Sequence, residues 1–224
     1  MNRPQSSDYI NFHDHGSVPV DGVFSVDNIM VHEGRSPSSM KGITHSVGAH
    51  PWFIDEDNFD RYLLRVRDMS GSDNVIAIGE TGFDKLKGPS VDLQRKAFER
   101  HFELAEELSK PLIIHCVRAW PEILAEKKRL KPKTPWVIHG FKGKKELAQQ
   151  LCDKGFYLSA WVEWAIRPVS ADTLNNIPPE RLFLETDGFD IGIEPVYKVV
   201  AGYLGMEVEK LREQIYKNYT SIIK

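Results

Sequence analysis

Six side chains of metal-binding type occupy one kind of position along this 224-residue chain. His13 and His15 close the run "YINFHDH", Glu80 closes "NVIAIGE", His115 lies in "PLIIHC", His139 in "PWVIHG", and Asp187 follows "RLFLET". Each stands at the carboxyl end of a short apolar run. In an extended strand residues i and i+2 share a face, so His13 and His15 project together. Four imidazoles and two carboxylates gathered in one place would be a costly polar cluster without partners. Divalent cations resolve the conflict, because imidazole with carboxylate suits zinc, manganese or, on the oxygen side, magnesium. Six protein donors exceed what one tetrahedral zinc takes, and a carboxylate can bridge, so two ions are the expected count. A seventh group, His50 in "SVGAHPW", is followed by the strand-ending Pro51. It reads as a contact to phosphate or a support for the ligands, not as a ligand.

The elements that must carry these groups alternate. The run 9–15 is followed by apolar runs at 22–31 and 44–52, a helical stretch around "NFDRYLLRVRDM", and the buried-strand run 74–80. Residues 90–109 place Leu93, Ala97, Phe98, Phe102, Ala105 and Leu108 at the i, i+3, i+4 spacing of an amphipathic helix. "PLIIHC", "PWVIHG", "GFYLSA" and "RLFLETD" then each precede a segment of helical period. Strand alternating with helix implies a parallel sheet covered on both faces. Eight strand candidates predict a compact, distorted (β/α)8 barrel forming one domain over 1–224, with the first units trimmed because little helix fits at 16–22 or 32–43. An open doubly wound sheet is the alternative. In a parallel barrel the carboxyl ends of all strands converge on one face, where barrel active sites are built, so the six groups should meet.

Composition narrows the partners. Lys plus Arg number 29 against 32 Asp plus Glu, a formal net charge of −3, so no global positive field gathers nucleic acid or anionic membrane. Phosphate binding must then be local. The start lacks an apolar leader run and no segment approaches a membrane span, so a cytoplasmic, non-membrane protein is expected. Two cysteines, Cys116 and Cys152, fit reduced thiols. Cys116 directly follows His115 and therefore points to the opposite face.

The order "NFHDHG", "SVGAHPWF", "IAIGETGFDK", "LQRKAFERHFELAEELSKPLIIHC", "WVIHGFKG", "LFLETDG" resembles the TatD-related deoxyribonucleases, metal-dependent hydrolases of the amidohydrolase superfamily. The resemblance implies a distorted barrel with a two-metal centre that hydrolyses phosphodiesters, here as a 3′–5′ exodeoxyribonuclease. It also implies that His13, His15 and Asp187 hold one ion, that His115 and His139 hold the second, and that Glu80 bridges. The chain departs from the family pattern at Asn11, where Asp is usual, at Lys85, where Tyr is usual, behind His115 in "HCVRAW", and in the short segment after "ETD". These departures bear on substrate choice more than on metal.

Metal coordination brings water's pKa toward neutrality, and Asp187 is expected to orient the attacking water and accept its proton, with Glu80 as the other catalytic carboxylate. His50, Arg118, Lys142 and Lys144 are the expected substrate contacts, Arg118 through its bidentate fork and the lysines through the loop "FKGKKE". Glu163 between Trp161 and Trp164 is a further pocket candidate, whereas His32, His45 and His101 read as structural or exposed. The leading substrate is DNA or another phosphodiester, handled by a monomer. Deacylation of D-aminoacyl-tRNA or cleavage of another ester or amide is the second reading, and a metal-binding scaffold without turnover the third.

Overall fold

A computed structural model of the protein describes residues 3–223. Eight strands, β1 (Tyr9–Asp14), β2 (Val23–Met30), β3 (Ile43–Gly48), β4 (Val75–Asp84), β5 (Leu112–Val117), β6 (Trp136–Phe141), β7 (Phe156–Trp161) and β8 (Leu182–Glu185), run parallel in sequence order. Between and after them lie the helices α1 (Phe59–Ser70), α2 (Val91–Leu108), α3 (Trp120–Leu130), α4 (Lys145–Asp153), α5 (Val162–Ala165), α6 (Ala171–Leu174), α7 (Ile193–Tyr203) and α8 (Val208–Ile222). The barrel is nearly closed, and its seam lies between β1 and β8. There the Asp187 N–H donates to the His13 carbonyl at 3.0 Å, and Asn11 makes a two-way pair with Thr186, accepting its N–H at 2.9 Å and donating to Oγ1 at 2.6 Å. The open-sheet alternative is thereby excluded.

The trimmed first units are present. No helix separates β1 from β2, and only a single 3-10 turn, Val31–Glu33, follows β2. Strands β3 and β4 are buried at every position, as sheet interiors covered on both sides require. Close packing of β4 depends on missing side chains. A Cβ on Gly48 would stand 2.4 Å from the Glu80 carbonyl oxygen, and one on Gly82, at φ 147°, 2.0 Å from that of His115. Helix α2 starts at Ser90, whose hydroxyl accepts the Leu93 N–H, and stops at Ser109 in the left-handed region.

Two sequence expectations need adjustment. The fourth strand does not end at Glu80 but continues to Asp84, so a second carboxylate shares its face. The helix expected at "ADTLNNI" is one turn only, α6, preceded by the short α5. Among the described residues no helix is long and apolar enough to cross a membrane.

Candidate metal centre

The carboxyl-terminal halves of the strands and the turns that follow them bring His13, His15, His50, Glu80, His115, His139 and Asp187 to one mouth. Glu80, buried at the centre, divides its two oxygens. Oε2 lies 3.5 Å from His13 Nε2, and Oε1 lies 2.7 Å from His115 Nδ1 and 2.5 Å from His139 Nε2. On the Oε2 side, Asp187 Oδ1 stands 3.6 Å from His13 Nε2 and 3.4 Å from His15 Nε2. These spacings around His13 and His15 are too long for good hydrogen bonds. They match the roughly 3.4 Å that separates neighbouring ligand atoms around a tetrahedral ion bound at about 2.0–2.1 Å. Both ring nitrogens of buried His13 are without hydrogen-bond partners among the described residues, which suits a ring whose nitrogen faces a cation.

The tautomers on the Oε1 side follow from what each ring's other nitrogen faces. His115 Nε2 lies 3.1 Å from Asp84 Oδ2, which fixes the proton there and leaves Nδ1 bare toward Glu80. His139 Nε2 lies against the same Glu80 oxygen, and its Nδ1 is turned toward Glu185 Oε1 at 3.7 Å. Two imidazoles thus converge on one carboxylate oxygen, an arrangement that suits a shared cation. The carboxylate behind each ring is the support that metal-bound histidines ordinarily have. His50 differs: its Nδ1 accepts the Trp52 N–H at 3.1 Å, so its proton sits on Nε2, 3.0 Å from Glu80 Oε1. It turns a donor toward Glu80, and with Glu80 and His115 it also makes up a group of donor atoms close enough to hold an ion.

Charge follows this geometry. Burial by itself would raise Glu80, but the charges of His139 and His50, with the His115 and His13 rings beside it, hold it well below the usual carboxylate range. Burial would lower His139; Glu80 and Glu185 outweigh it and hold that ring well above its ordinary value. His50 is lowered by burial against the pull of Glu80. Asp187 has burial working upward, overcome by the neighbouring His15 ring and the charges of His139 and His13, which hold it low. The donor set therefore fits divalent metal.

Three supporting carboxylate or amide groups lie outside the set that the sequence points to. Asp84 accepts from His115, from the Trp52 indole N–H at 2.6 Å, and from the N–H groups of Leu86 and Lys87. Glu185 accepts the Gly140 N–H and stands behind His139. Asn28 accepts the Glu80 N–H at 3.1 Å and donates toward Glu80 Oε2 at 3.3 Å. Alternation along β4 (80, 82, 84) and across "LETD" (185, 187) is the available signal. Asp187 itself sits at φ 53°, with Gly188 beside it donating to Asp14 Oδ1.

The expected substrate contacts scatter. Arg118 is exposed, at φ 52°, and among the described residues no ion pair or hydrogen bond ties it to the centre. Lys142 lies 4.0 Å over the ring of Trp161, which meets Phe189 edge-on, so these three form a group on the β6–β8 side of the mouth. Lys144 stands just before α4, while Lys145 pairs with Asp172 at 2.9 Å. Trp164 packs on Phe141 and Glu163 faces Arg167, which separates them from Trp161. Lys85, at the departure from the family pattern, pairs with Glu122. His45 is buried against Asp27, and His101 in α2 is buried too.

Barrel and donor set define a metal-dependent hydrolase of the β/α-barrel type. The sequence model for the TatD related DNase family matches residues 30–224, and the chain belongs to that family. The HxH strand precedes the matched segment, so its place in the centre rests on the geometry above. Relatives include the 3′-5′ ssDNA/RNA exonuclease TatD of Pantoea ananatis, 32% identical over 200 residues covering 77% of this chain and 75% of that one. Another is the metal-dependent hydrolase YcfH of Escherichia coli K12, 28% identical over 197 residues, 80% of this chain and 73% of the other. Among solved structures, the TatD homolog YJJV of Escherichia coli K12 shares the fold with a TM-score of 0.80 at 18% identity, over 98% of this chain and 99% of that chain. A TatD family hydrolase of Entamoeba histolytica gives 0.77 at 16% identity, over 99% of each chain.

Proposed function

We propose that the protein is a two-ion phosphodiesterase that removes nucleotides from the 3′ end of single-stranded DNA. The observation that carries this reading is Glu80, whose Oε2 faces His13 and whose Oε1 faces His115 and His139. In this reading His13, His15 and Asp187 would hold one ion and His115 and His139 the other, with Glu80 placed to serve both. Divalent metal there would make water nucleophilic near neutral pH and neutralise charge on the phosphoryl oxygens. Asp187, held low in pKa and partly exposed at the mouth, orients the attacking water and takes its proton. His50 directs Nε2–H into the site and can donate to a phosphoryl oxygen. The exonuclease activity named for the Pantoea relative favours phosphodiesters over acyl substrates. The protein acts as a cytosolic monomer in this reading, since one chain supplies every donor and both cysteines are unpaired.

The test is hydrolysis of a 3′-labelled single strand by metal-loaded protein, with D-aminoacyl-tRNA as the competing substrate. Asp187→Asn should lower the turnover number by several orders of magnitude while circular dichroism stays unchanged. Near-normal turnover in that variant would place the base elsewhere. Deacylation without strand cleavage would replace the nuclease reading.

A further inference from the structure

Across the mouth from Lys142 and Trp161, the turn after β3 presents a second aromatic group that no metal role absorbs. Phe53 is 36% exposed although it lies three residues past His50, with the two rings 5.6 Å apart. His32 stacks on Phe53 at 3.7 Å and 26°. Burial lowers the His32 pKa, so this ring stacks in its neutral form. The pair borders an open groove of about 620 Å³ that also takes in Trp52, Tyr62 and Asp55, within the range of small-ligand sites, about 300–1,000 Å³.

The groove is built, not incidental. Phe53 donates its N–H to the His50 carbonyl at 3.1 Å, and its own carbonyl accepts from buried Asn58 at 3.0 Å. Asn58 in turn exchanges two hydrogen bonds with Asp55. On the other wall, Asp84 holds the N–H of Lys87, whose ammonium lies 3.7 Å over Trp52 and 5.9 Å from the Phe53 ring. The carboxylate that supports His115 therefore also positions this wall. His50, whose ring lies 5.6 Å from that of Phe53, stands 3.0 Å from Glu80 at the centre.

The chemistry of the lining selects the occupant. An aromatic face flanked by a single lysine, with Asp55 on the rim, repels a run of phosphates but accepts a flat, neutral heterocycle. The lysines of the β6–α4 loop stand on the opposite side of the eight-strand ring, where successive phosphates can run. Resting on the nucleic-acid reading above, we infer that the Phe53–His32 platform stacks the 3′-terminal base, while the rest of the strand leaves over β6 and β7. Stacking on aromatic faces is tolerant of sequence, so the platform would fix the reading end without choosing among bases.

A short oligonucleotide carrying 2-aminopurine at its 3′ end, with a terminal phosphorothioate to slow cleavage, reports stacking as a drop in fluorescence. Wild type and Phe53→Tyr, which keeps a ring face, should quench it. Phe53→Leu should not, and should bind roughly tenfold more weakly. An oligonucleotide abasic at the 3′ end should bind wild type and Phe53→Leu equally. Quenching and affinity unchanged in Phe53→Leu, or an abasic end that binds wild type as well as a normal one, overturns the platform, the second comparison holding even if the leucine variant misfolds. Cleavage of an unmodified strand by wild type reports separately on the nuclease reading. Cleavage with no stacking removes only the platform, whereas neither cleavage nor binding removes both.

Discussion

Oδ2 of Asp84 and Nε2 of His115 lie 3.1 Å apart, and this pairing decides which nitrogen of His115 faces the centre. Asp84→Asn presents an amide that need not hold the Nε2 proton, so the ring loses its fixed tautomer and some of its basicity. Metal affinity should fall about 10–100-fold at one position while the other is unaffected. Titration calorimetry separates the two, and equal affinities in variant and wild type would make Asp84 only an anchor for Trp52 and the Lys87 loop.

Elemental analysis after exchange into excess metal should find two divalent ions per chain. His115→Ala should retain one, because His13, His15 and Asp187 do not depend on that ring. Saturation of wild type at a single ion would exclude Glu80 as a bridge.

Salt dependence addresses how an acidic protein holds a polyanion. Lys142→Ala with Lys144→Ala should weaken binding of a short single strand and flatten its salt dependence, by roughly 0.7 in slope for each phosphate that is no longer neutralised. Hydrolysis of a small phosphodiester should hardly change. A wild-type slope in the double variant would move the strand's path off the β6–α4 loop. Arg118→Ala is the natural next variant.

His101 links the fold to pH. Its Nδ1–H donates to the Ala97 carbonyl at 2.7 Å and its Nε2 accepts the Ala49 N–H at 2.9 Å, so the buried ring is neutral. Burial lowers its pKa from 6.5 to about 4, the Ala97 bond offsetting little. Between those values the unfolded chain binds a proton that the folded chain does not. The contribution is therefore full above about pH 6.5 and declines as pH falls toward 4, a decrease on the order of 3 kcal/mol. Urea unfolding of wild type and His101→Gln at pH 4.5, 5.5 and 7 checks this: the variant should be less stable at pH 7 and the difference should shrink with acid. A constant difference would contradict the linkage.

The strand ends are legible in the sequence because each metal-type residue terminates an apolar run, and period-two alternation in "FHDH" sets two rings on one face. The supporting groups are harder to see. Asp84 falls after the two glycines of "GETGFD", where the apolar signal that marks a strand has already lapsed. Glu185 is fully buried, yet a lone carboxylate between Leu184 and Thr186 carries no local sign of the histidine it will face from β6. Likewise, only tertiary structure puts His32 on Phe53, since the two residues lie on successive units and neither has a helical or strand period to relate them. Trp161 and Trp164, three residues apart, diverge because α5 begins between them.

The hydrogen bond from Asp187 to His13 joins the last strand's exit to the first strand's end. A ring of staves with one joint is weakest at the joint, and here the joint is also where a cation would be gripped by residues from both ends of the chain. An ion held by His13, His15 and Asp187 would thus serve as a buckle, coupling retention of the ion to integrity of the ring. Chelation should then speed amide exchange at Asp187 and Thr186 before it affects β4 or β5, and the molecule should come apart from its ends inward.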